Sequence, residues 1–451
     1  MNNNKSKPGA VVALLFFGSL WGFLWVSAAH AEDLLQIYQL ALENDPTFKA
    51  AEATLQSTIE SKGQADSNYL PSVDLSAGGS KNKTETSTTT TDSDSIRYGV
   101  SLSQAIYNRN FPIQSRLAKS YISAAEADFA SATQNLIVRA SDGYLGVLRA
   151  LDNLEFANAE QESIGRQLEQ TKQRFDVGLV AITDVHEAQA RFDLARARTI
   201  EAENALNNAR EALRSITGKY HDSLAVLSEK TPFVARPDPD NIDYWTETAL
   251  DKNYNLLTSQ QVVIQAEETV SLQRAGYFPT LYLNGSYQRT EGDDYIDSST
   301  QRFVNGDVNN SSVSLNFNMN LYNGGSTKSA VSQARQDLRY ARETYEQTKR
   351  EVQRRARNEY LGVISGISRV QALKQAVVSN ESALKAAEAG FEVGTRTTVD
   401  VLNARSLLFS AINNYSQARY DYISSWLRLL QAAGSLDQAA LERINKWLEE
   451  K

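Results

Sequence analysis

The 451-residue chain contains no cysteine, only eight prolines and only three histidines. Without cysteine it can form neither a disulfide nor a thiolate metal site, and a lipid anchor on an N-terminal cysteine is excluded as well. The chain also lacks a His-Glu-x-x-His zinc motif and a phosphate-binding glycine loop, and no nucleophile, base and acid stand out as a set. We therefore expect no enzyme activity, no catalytic residue, no metal site and no cofactor.

Positive charge is scarce, with 46 basic against 54 acidic residues. No basic patch with interleaved aromatics appears, so nucleic acid is not expected as a partner. Two lysines, an apolar run from Ala10 to Val26 and the ending Ala29-His30-Ala31 predict a cleaved secretory signal peptide at 1–31. An uncleaved anchor is the alternative. Cleavage leaves Glu32 first and lowers the formal net charge from −8 to −10, because two lysines and no acid are removed.

Beyond residue 31 no apolar run reaches the length of a membrane helix, but four segments alternate apolar and polar residues. In the segment Val313 to Tyr322 the apolar residues at 313, 315, 317, 319 and 321 alternate with Ser or Asn at 314, 316, 318 and 320, the dyad of a strand with lipid on one face and water on the other. The four predicted strands lie at about 71–81, 95–108, 279–289 and 311–323. They indicate two membrane hairpins, and a soluble β-domain is the alternative.

The predicted hairpin loops, Lys81 to Ser95 and Thr290 to Asn310, are rich in polar residues, as in the external loops of outer-membrane barrels. Four strands cannot close a membrane barrel, because open edges are not tolerated in lipid. Strands must therefore be pooled between chains, and two, three or four copies would supply eight, twelve or sixteen.

Two halves of the chain share one design. Motifs recur about 216 positions apart, and in both copies a helical pattern runs into a Val-Gly turn and back, which predicts the tip of an antiparallel helical hairpin. The shared positions are Phe175, Val177, Gly178, Asp184, Val185 and Ala188 in the first copy and Phe391, Val393, Gly394, Asp400, Val401 and Ala404 in the second.

Each half is expected to contain one long helix flanked by two shorter ones. In the first half the helical patterns cover 34–69, 110–177 and 182–217, roughly 54, 102 and 54 Å, so the two short helices together match the long one. The second half repeats this with 244–277, 325–393 and 398–432. Tips are predicted at about 177–183 and 393–398.

The proline-bearing segment Gly218 to Tyr244 and the C-terminal stretch from Ser435 are expected to form a belt around the middle of the rods. The predicted division is a first repeat at 32–230, a linker in the belt at 231–244, a second repeat at 245–433 and a C-terminal belt segment at 434–451.

Three stretches carry a specific resemblance. Arg174 to Val185, Lys374 to Ser379 and Val393 to Leu402 resemble the corresponding stretches of the TolC family of outer-membrane efflux channels, and the likeness extends over essentially the whole chain after residue 31. The resemblance implies an α+β membrane protein: a homotrimer whose hairpins form a 12-stranded β-barrel continuous with an α-helical periplasmic barrel. It implies outer-membrane lipid, a periplasmic adaptor (membrane-fusion) protein and an inner-membrane pump of the RND, ABC or MFS type as partners.

The function implied is a gated exit duct for tripartite drug efflux, for type I protein secretion, or for both. The resemblance also implies that the tips close the duct through a latch between helices. Arg396 matches the arginine that ties one protomer to Thr183 and Asp184 of its neighbour, and Arg419 matches a second gate arginine whose partners correspond to Gln167 and Gln170. An exposed ion pair of this kind stabilises the closed state by about 1 kcal/mol or less, which suits a lock that must open.

Two positions depart from the family pattern. The gate tyrosine that donates to the acid of the first tip is Phe391 here, so that hydrogen bond cannot form. Two acids form the inner pore rings in the family, and here the pair is Asp400 and Asn403, three residues apart on one helix face. One carboxylate ring has therefore become a ring of amides, which predicts weaker cation selectivity.

The turns themselves, Gly178, Leu179 and Val180 in the first copy and Gly394 and Thr395 in the second, are predicted to reverse the chain and to meet the adaptor. A periplasmic coiled-coil adaptor or scaffold and a general diffusion porin are the competing functions. The amphipathic strands oppose the first, and the long rods oppose the second. The cargo, drug or secreted protein, cannot be derived from the sequence.

Overall fold

The computed structural model describes residues 31–85, 87, 90–228, 234–297 and 302–449. The predicted signal peptide, apart from Ala31, lies outside these residues, as do 229–233 of the belt and residues 450 and 451. No helix in this part of the chain is long and apolar enough to cross a membrane. The elements are α1 (Leu34–Asn44), α2 (Pro46–Ser67), β1 (Ser72–Glu85), β2 (Thr90–Asn108), α3 (Asn110–Asp176), α4 (Ile182–Thr217), β3 (Val226–Leu227), α5 (Ile242–Lys252), α6 (Tyr254–Ala275), β4 (Thr280–Asp297), β5 (Arg302–Asn318), α7 (Ser326–Glu392), α8 (Thr398–Ala432), α9 (Gln438–Asn445) and β6 (Leu448–Glu449).

The predicted α+β class with two repeats is confirmed, since two short helices, a β-hairpin, a long helix and a half-length helix occur twice in this order. The two hairpins join into one antiparallel sheet with the strand order β1-β2-β4-β5. The inner strands β2 and β4 come from different repeats and pair directly, with Leu102 opposite Gly285. Strands β1 and β5 lie at the two ends of the sheet. Among the described residues, no strand pairs with their outward edges.

The sheet has one apolar and one polar face. The register sets Leu75 opposite Val100 in the first hairpin and Leu283 opposite Leu315 in the second, so their side chains share a face. Several of these are largely exposed; Leu75 is 82% exposed. Ser76, beside Leu75, points to the other face with the serines and asparagines. An exposed apolar band of this kind requires an apolar environment.

The strands are longer than predicted. We expected polar loops at 81–95 and 290–310, but β1 continues to Glu85, β2 starts at Thr90, β4 continues to Asp297 and β5 starts at Arg302. Antiparallel pairing satisfies backbone groups whatever the side chains are, and threonine-rich segments favour strands. Polarity therefore marks where the sheet leaves the apolar band and does not mark where the strands end.

The rods are two helices of 67 residues, α3 and α7, each about 100 Å long. The half-length helix α4 returns along α3. Its buried alanines Ala188, Ala195 and Ala202 recur every seven residues. A small residue at each seventh position lets two helices approach closely in coiled-coil packing. Helix α8 returns along α7 and also packs on α3, so α3 and α8 join the two hairpins of one chain.

The short helices are broken, which corrects the prediction of continuous helices at 34–69 and 244–277. Asp45 ends α1 and caps α2 by accepting a hydrogen bond from the backbone N–H of Phe48 at 2.7 Å, and Pro46 occupies the first position of α2. In the second repeat Asn253 caps α6 in the same way, accepting from Leu256 at 3.3 Å. A capping side chain and a residue without an N–H favour a helix start, so the chain bends there.

Asp45 also accepts two hydrogen bonds of 2.8 Å from the guanidinium of Arg139 on α3. These bonds hold the pKa of the buried Asp45 carboxyl below its usual range. We expect Arg139→Met to lower the free energy of unfolding by about 2 kcal/mol, because it leaves a buried carboxylate without its cation. Denaturant unfolding of the purified protein measures this, and Arg355→Met, at the exposed equivalent position of the second repeat, is the control.

The same pair predicts a pH dependence of stability. Because the folded pKa of Asp45 is depressed, the contribution is complete above the unfolded value of about 3.9 and is lost as pH falls through the folded pKa. The difference between wild type and Arg139→Met should therefore be largest near neutral pH and shrink in acid. A difference that grows in acid would contradict this assignment.

The main core lies at the middle of the rods. Buried residues of α1, α3, α8 and α9 form one cluster there, including Ile37, Tyr144 and Leu427. The segment after α4 and the C-terminal segment meet through the β3–β6 pairing. The hydroxyl of Tyr144 donates to the carbonyl of Ala225 at 2.5 Å. Both segments that the sequence analysis assigns to a belt thus contact the rods halfway along.

Candidate gate at the helical tips

The two tips are the same turn built twice. Gly178 and Gly394 adopt φ of 78° and 77°, a left-handed conformation that favours glycine. In the first tip the N–H of Leu179 donates to the carbonyl of Arg174 at 2.8 Å, and in the second the N–H of Thr395 donates to the carbonyl of Gly390 at 2.8 Å. This is the Schellman pattern, which satisfies the last carbonyls of a helix. Both sequences therefore end their long helix in the same way.

The helices after the turns are capped differently. In the second tip the Asp400 carboxylate accepts from the N–H and the hydroxyl of Thr397, both at 2.9 Å. These two bonds hold the pKa of Asp400 below its usual range, the backbone bond contributing most. In the first tip Ala181 has no hydroxyl, and among the described residues Asp184 accepts only from the N–H of Ala181, at 3.3 Å. Of the two carboxylates, Asp184 thus accepts fewer hydrogen bonds than Asp400.

Arg396 is fixed at its backbone and exposed at its guanidinium. Its N–H donates to the carbonyl of Gly390 at 3.1 Å, and a Cβ at position 390 would lie 2.6 Å from the Cγ of Arg396, so glycine is required for this approach. The guanidinium lies 4.0 Å from Asp400 in the first turn of α8, and the side chain is 61% exposed. Within one chain the structure does not bring Arg396 to Thr183 or Asp184 among the hydrogen bonds of the described residues, so the predicted latch between protomers stays a prediction.

The assignment of Arg419 to the gate needs correction. Arg419 is 9% exposed and donates to the carbonyls of Leu227 and Ser228 in the belt. It lies 21 residues into α8, about 32 Å from the tip, whereas Gln167 lies nine residues, about 14 Å, from the end of α3. Gln167 is buried near the tip and Gln170 is exposed. Arg419 therefore fastens the belt to the rods and does not meet these glutamines.

Phe391 is held by an arginine of the other repeat. The guanidinium of Arg174 lies 4.5 Å from the centre of the Phe391 ring, within the range of a cation–π contact. The aromatic ring thus links α3 and α7 even without the hydroxyl that the family tyrosine carries.

We expect Phe391→Tyr to lower the conductance of the closed channel, because the tyrosine keeps the ring under Arg174 and adds a donor for the underused Asp184. Single-channel recording measures this. Phe175→Tyr, at the equivalent position of the first tip, is the matched control. An unchanged closed-state conductance in Phe391→Tyr would refute the prediction.

Asn403 is not free on the helix surface. Its amide oxygen accepts from Arg191 of α4 at 3.1 Å, and Arg191 also pairs with Glu187 of α4 at 3.1 Å. The predicted ring position therefore carries a neutral amide beside a cation.

Asn403→Asp should raise the preference for cations, since a second ring of carboxylates joins Asp400 in each protomer. Reversal potentials in a salt gradient measure the change, and Asn403→Gln, which keeps a neutral amide, is the control. Identical potentials for wild type and Asn403→Asp would contradict the expectation that this position faces the pore.

One tip residue was not among the gate residues predicted from the sequence. Arg405 on α8 reaches Glu388 on α7 at 2.5 Å and Ser163 on α3 at 2.8 Å. A signal was present, because Glu388 and Arg405 are opposite charges at similar distances on either side of the second turn. In an antiparallel hairpin such residues lie side by side.

The tips also expose apolar side chains. Val177, Leu179 and Val393 are 69%, 69% and 76% exposed. Of the described residues, no group of three or more His, Cys, Asp or Glu is placed to hold a metal ion. The arrangement offers hydrogen bonds, ion pairs and apolar contacts at the end of a helical rod.

Comparisons with known proteins agree on one family. The family model of the outer membrane efflux proteins matches residues 37–219 and 245–435, one segment in each repeat. The chain is 39% identical over 96% of its length to outer membrane protein TolC of Vibrio cholerae, of which it covers 98%. It is 31% identical over 92% of its length to the alkaline protease secretion protein AprF of Pseudomonas aeruginosa, of which it covers 87%.

Solved structures share the fold at lower identity. The CmeC outer membrane channel of Campylobacter jejuni superposes with a TM-score of 0.75 at 19% identity, covering 99% of this chain and 97% of that one. The outer membrane protein VceC of Vibrio cholerae gives 0.72 at 18% identity, covering 89% and 96%.

Proposed function

The chain belongs to the outer membrane efflux protein family and is an outer-membrane channel for efflux or secretion, and from this premise we propose that three copies form one gated exit duct. In this proposal the sheets span the outer membrane as a 12-stranded barrel and the rods cross the periplasm. A periplasmic adaptor and an inner-membrane pump of the RND, ABC or MFS type open the tips.

The open sheet is the observation that carries the proposal. Strands β1 and β5 each present an unpaired edge of more than a dozen residues next to an exposed apolar band. In lipid every backbone N–H and C=O must find a partner within protein, so each β1 must pair with β5 of a neighbouring copy. Three copies of four strands close a barrel of twelve.

The tips supply the gate. Arg396 is exposed and only loosely paired, and Asp184 accepts one hydrogen bond from the part of its own chain that the structure describes. In a ring of three copies, Arg396 of one tip can meet Thr183 and Asp184 of the next. Such solvated pairs contribute about 1 kcal/mol or less each, so an adaptor can displace them.

The exposed Val177, Leu179 and Val393, next to Gly178 and Gly394 in the turns, are the surface we propose for the adaptor. Apolar side chains this exposed at the end of a rod suit contact with another protein. Relatives differ in cargo, since AprF is a secretion protein and CzcC of Cupriavidus metallidurans is a cobalt-zinc-cadmium resistance protein. We propose that the pump selects the cargo.

Cleavage after Ala31 is part of the proposal. Glu32 is built into the belt, where its N–H donates to the carbonyl of Ser223 at 3.1 Å and its own carbonyl accepts from the N–H of Ala225 at 3.0 Å. The residue that follows the predicted cleavage site is thus hydrogen-bonded into the belt.

Cell fractionation with sizing of the detergent-extracted protein tests the proposal. We expect the protein in the outer-membrane fraction, starting at Glu32, as a particle of three chains. Recovery as a soluble periplasmic protein would overturn it. Loss of the gene should raise drug sensitivity, reduce protein secretion, or both, and this identifies the cargo.

A further inference from the structure

We propose that Arg405 is a second gate latch, acting inside each protomer, that must release Ser163 of α3 before the α7–α8 hairpin can move outward. The inference rests on the proposed function, because it assumes that the duct opens at its tips. It concerns a different contact, since the Arg396 latch joins neighbouring protomers.

The geometry of Arg405 is that of a tie between three helices. One guanidinium nitrogen, Nη1, donates to both the carbonyl and the hydroxyl of Ser163, at 3.0 and 2.8 Å. The other, Nη2, donates to Glu388 at 2.5 Å. The side chain is only 15% exposed. Arginine suits this place because its rigid fork can satisfy two partners at once, whereas lysine offers a single charged point.

Arg405 lies at the tip end of the contact between α3 and α8. Among the described residues, side-chain hydrogen bonds join these helices in several steps toward the belt: Asn413 to Asn153 at 2.8 Å, Tyr420 to Asp152 at 2.8 Å and Ser424 to Asp142 at 2.8 Å. Arg405 is the step nearest the tip. A hairpin that separates from α3 starting at the tip must break the Arg405 hydrogen bonds before those at Asn413, Tyr420 and Ser424, once the ring contact of Phe391 with Arg174 is lost.

The first repeat lacks the equivalent tie. With the offset of 216, positions 405, 388 and 163 correspond to Gln189, Lys172 and Ser379. Gln189 donates to Asp193 of its own helix at 3.1 Å, and a lysine cannot accept a hydrogen bond. The tie that joins α8 to α3 therefore has no counterpart at the positions related by the duplication.

Single-channel recording of Arg405→Ala, Arg405→Lys and Arg396→Ala tests the inference. We expect the open fraction to rise about tenfold or more in Arg405→Ala, since charge-assisted hydrogen bonds are lost in all three copies. Arg405→Lys should be intermediate, because lysine can keep Glu388 but not Ser163 as well. Arg166→Ala, whose exposed arginine pairs with Glu162 on its own helix, is the control and should match wild type.

Combinations separate the two latches. Arg405→Ala and Ser163→Ala should not be additive, because both act on the contact between α8 and α3, whereas Arg405→Ala and Arg396→Ala should be additive. If Arg396→Ala opens the channel and Arg405→Ala does not, the inference falls and the proposed function stands. If neither opens it, both fall.

A reversible cross-link tests the same contact without loss of packing. The chain has no cysteine, so Ser163→Cys with Arg405→Cys introduces the only thiols of each protomer. Bridging them with a cleavable reagent about as long as an arginine side chain should hold the channel closed, and reductive cleavage should open it. A bridged channel that opens as readily as the cleaved one would overturn the inference.

Discussion

A single arginine in place of Leu315 should remove the assembled protein from the outer membrane. Leu315 is 64% exposed on the apolar face of β5. An arginine facing lipid near the middle of the membrane costs about 2–4 kcal/mol, and a trimer carries the substitution three times. The amount of trimer extracted from the outer-membrane fraction measures the effect.

Ser314→Arg is the matched control, because the neighbouring residue of a strand points to the opposite face. We expect this variant to assemble, with its arginine in the water-filled interior. Equal assembly of the two variants, or a greater loss for Ser314→Arg, would show that the apolar face does not contact lipid.

The sequence revealed this face but not the extent of the strands. Alternation is visible only where apolar residues mark one face, as in Val313, Leu315 and Phe317. Beyond them polar residues predominate and the few apolar ones occupy successive positions, so the alternation disappears although backbone pairing continues as far as Asp297 opposite Arg302. The period-2 pattern reports the environment of a strand, and pairing determines its length.

Arg396→Ala should open the channel to solutes that the closed tips exclude. The alanine removes the exposed guanidinium that we propose pairs with Asp184 of a neighbour, while the Schellman turn at Gly394 stays intact. Three pairs of about 1 kcal/mol each would raise the open population by up to roughly a hundredfold. Sensitivity of cells to a bulky hydrophilic antibiotic measures this, with Arg166→Ala as the control.

Unchanged sensitivity, with normal amounts of trimer in the membrane, would show that Arg396 does not hold the tips closed. Reduced amounts of trimer would be detected by the same extraction that tests Leu315→Arg. The two experiments therefore separate assembly from gating.

The tips show what a resemblance can transfer and what it cannot. The turns were predictable, because Val-Gly after a helical pattern has a clear conformational reason. The partners of Arg419 were not, although arithmetic along the helix argues against them: 21 residues of α8 correspond to about 32 Å. A residue at that height belongs to the belt, where Arg419 donates to Ser228.

Other features depend on contacts that no single stretch of sequence contains. The helix breaks at Asp45 and Asn253 have a local signal in the sequence, because both residues are of a type that caps helices. A continuous helix through each position also agreed with the spacing of apolar residues. Arg405 meets Ser163, 242 positions away, and Phe391 meets Arg174 of the other repeat. The duplication fixed the architecture, and the differences between the copies determine which side chains are available for the gate.

The conductance of the purified trimer in a planar lipid bilayer tests the central claim most directly, with wild type and the double variant Arg396→Ala, Arg405→Ala measured side by side. We predict a small closed-state conductance for wild type and a severalfold larger, stable conductance for the double variant at the same trimer content. Equal conductance in both, or no channel formed by wild type, would contradict a duct that is closed by its helical tips.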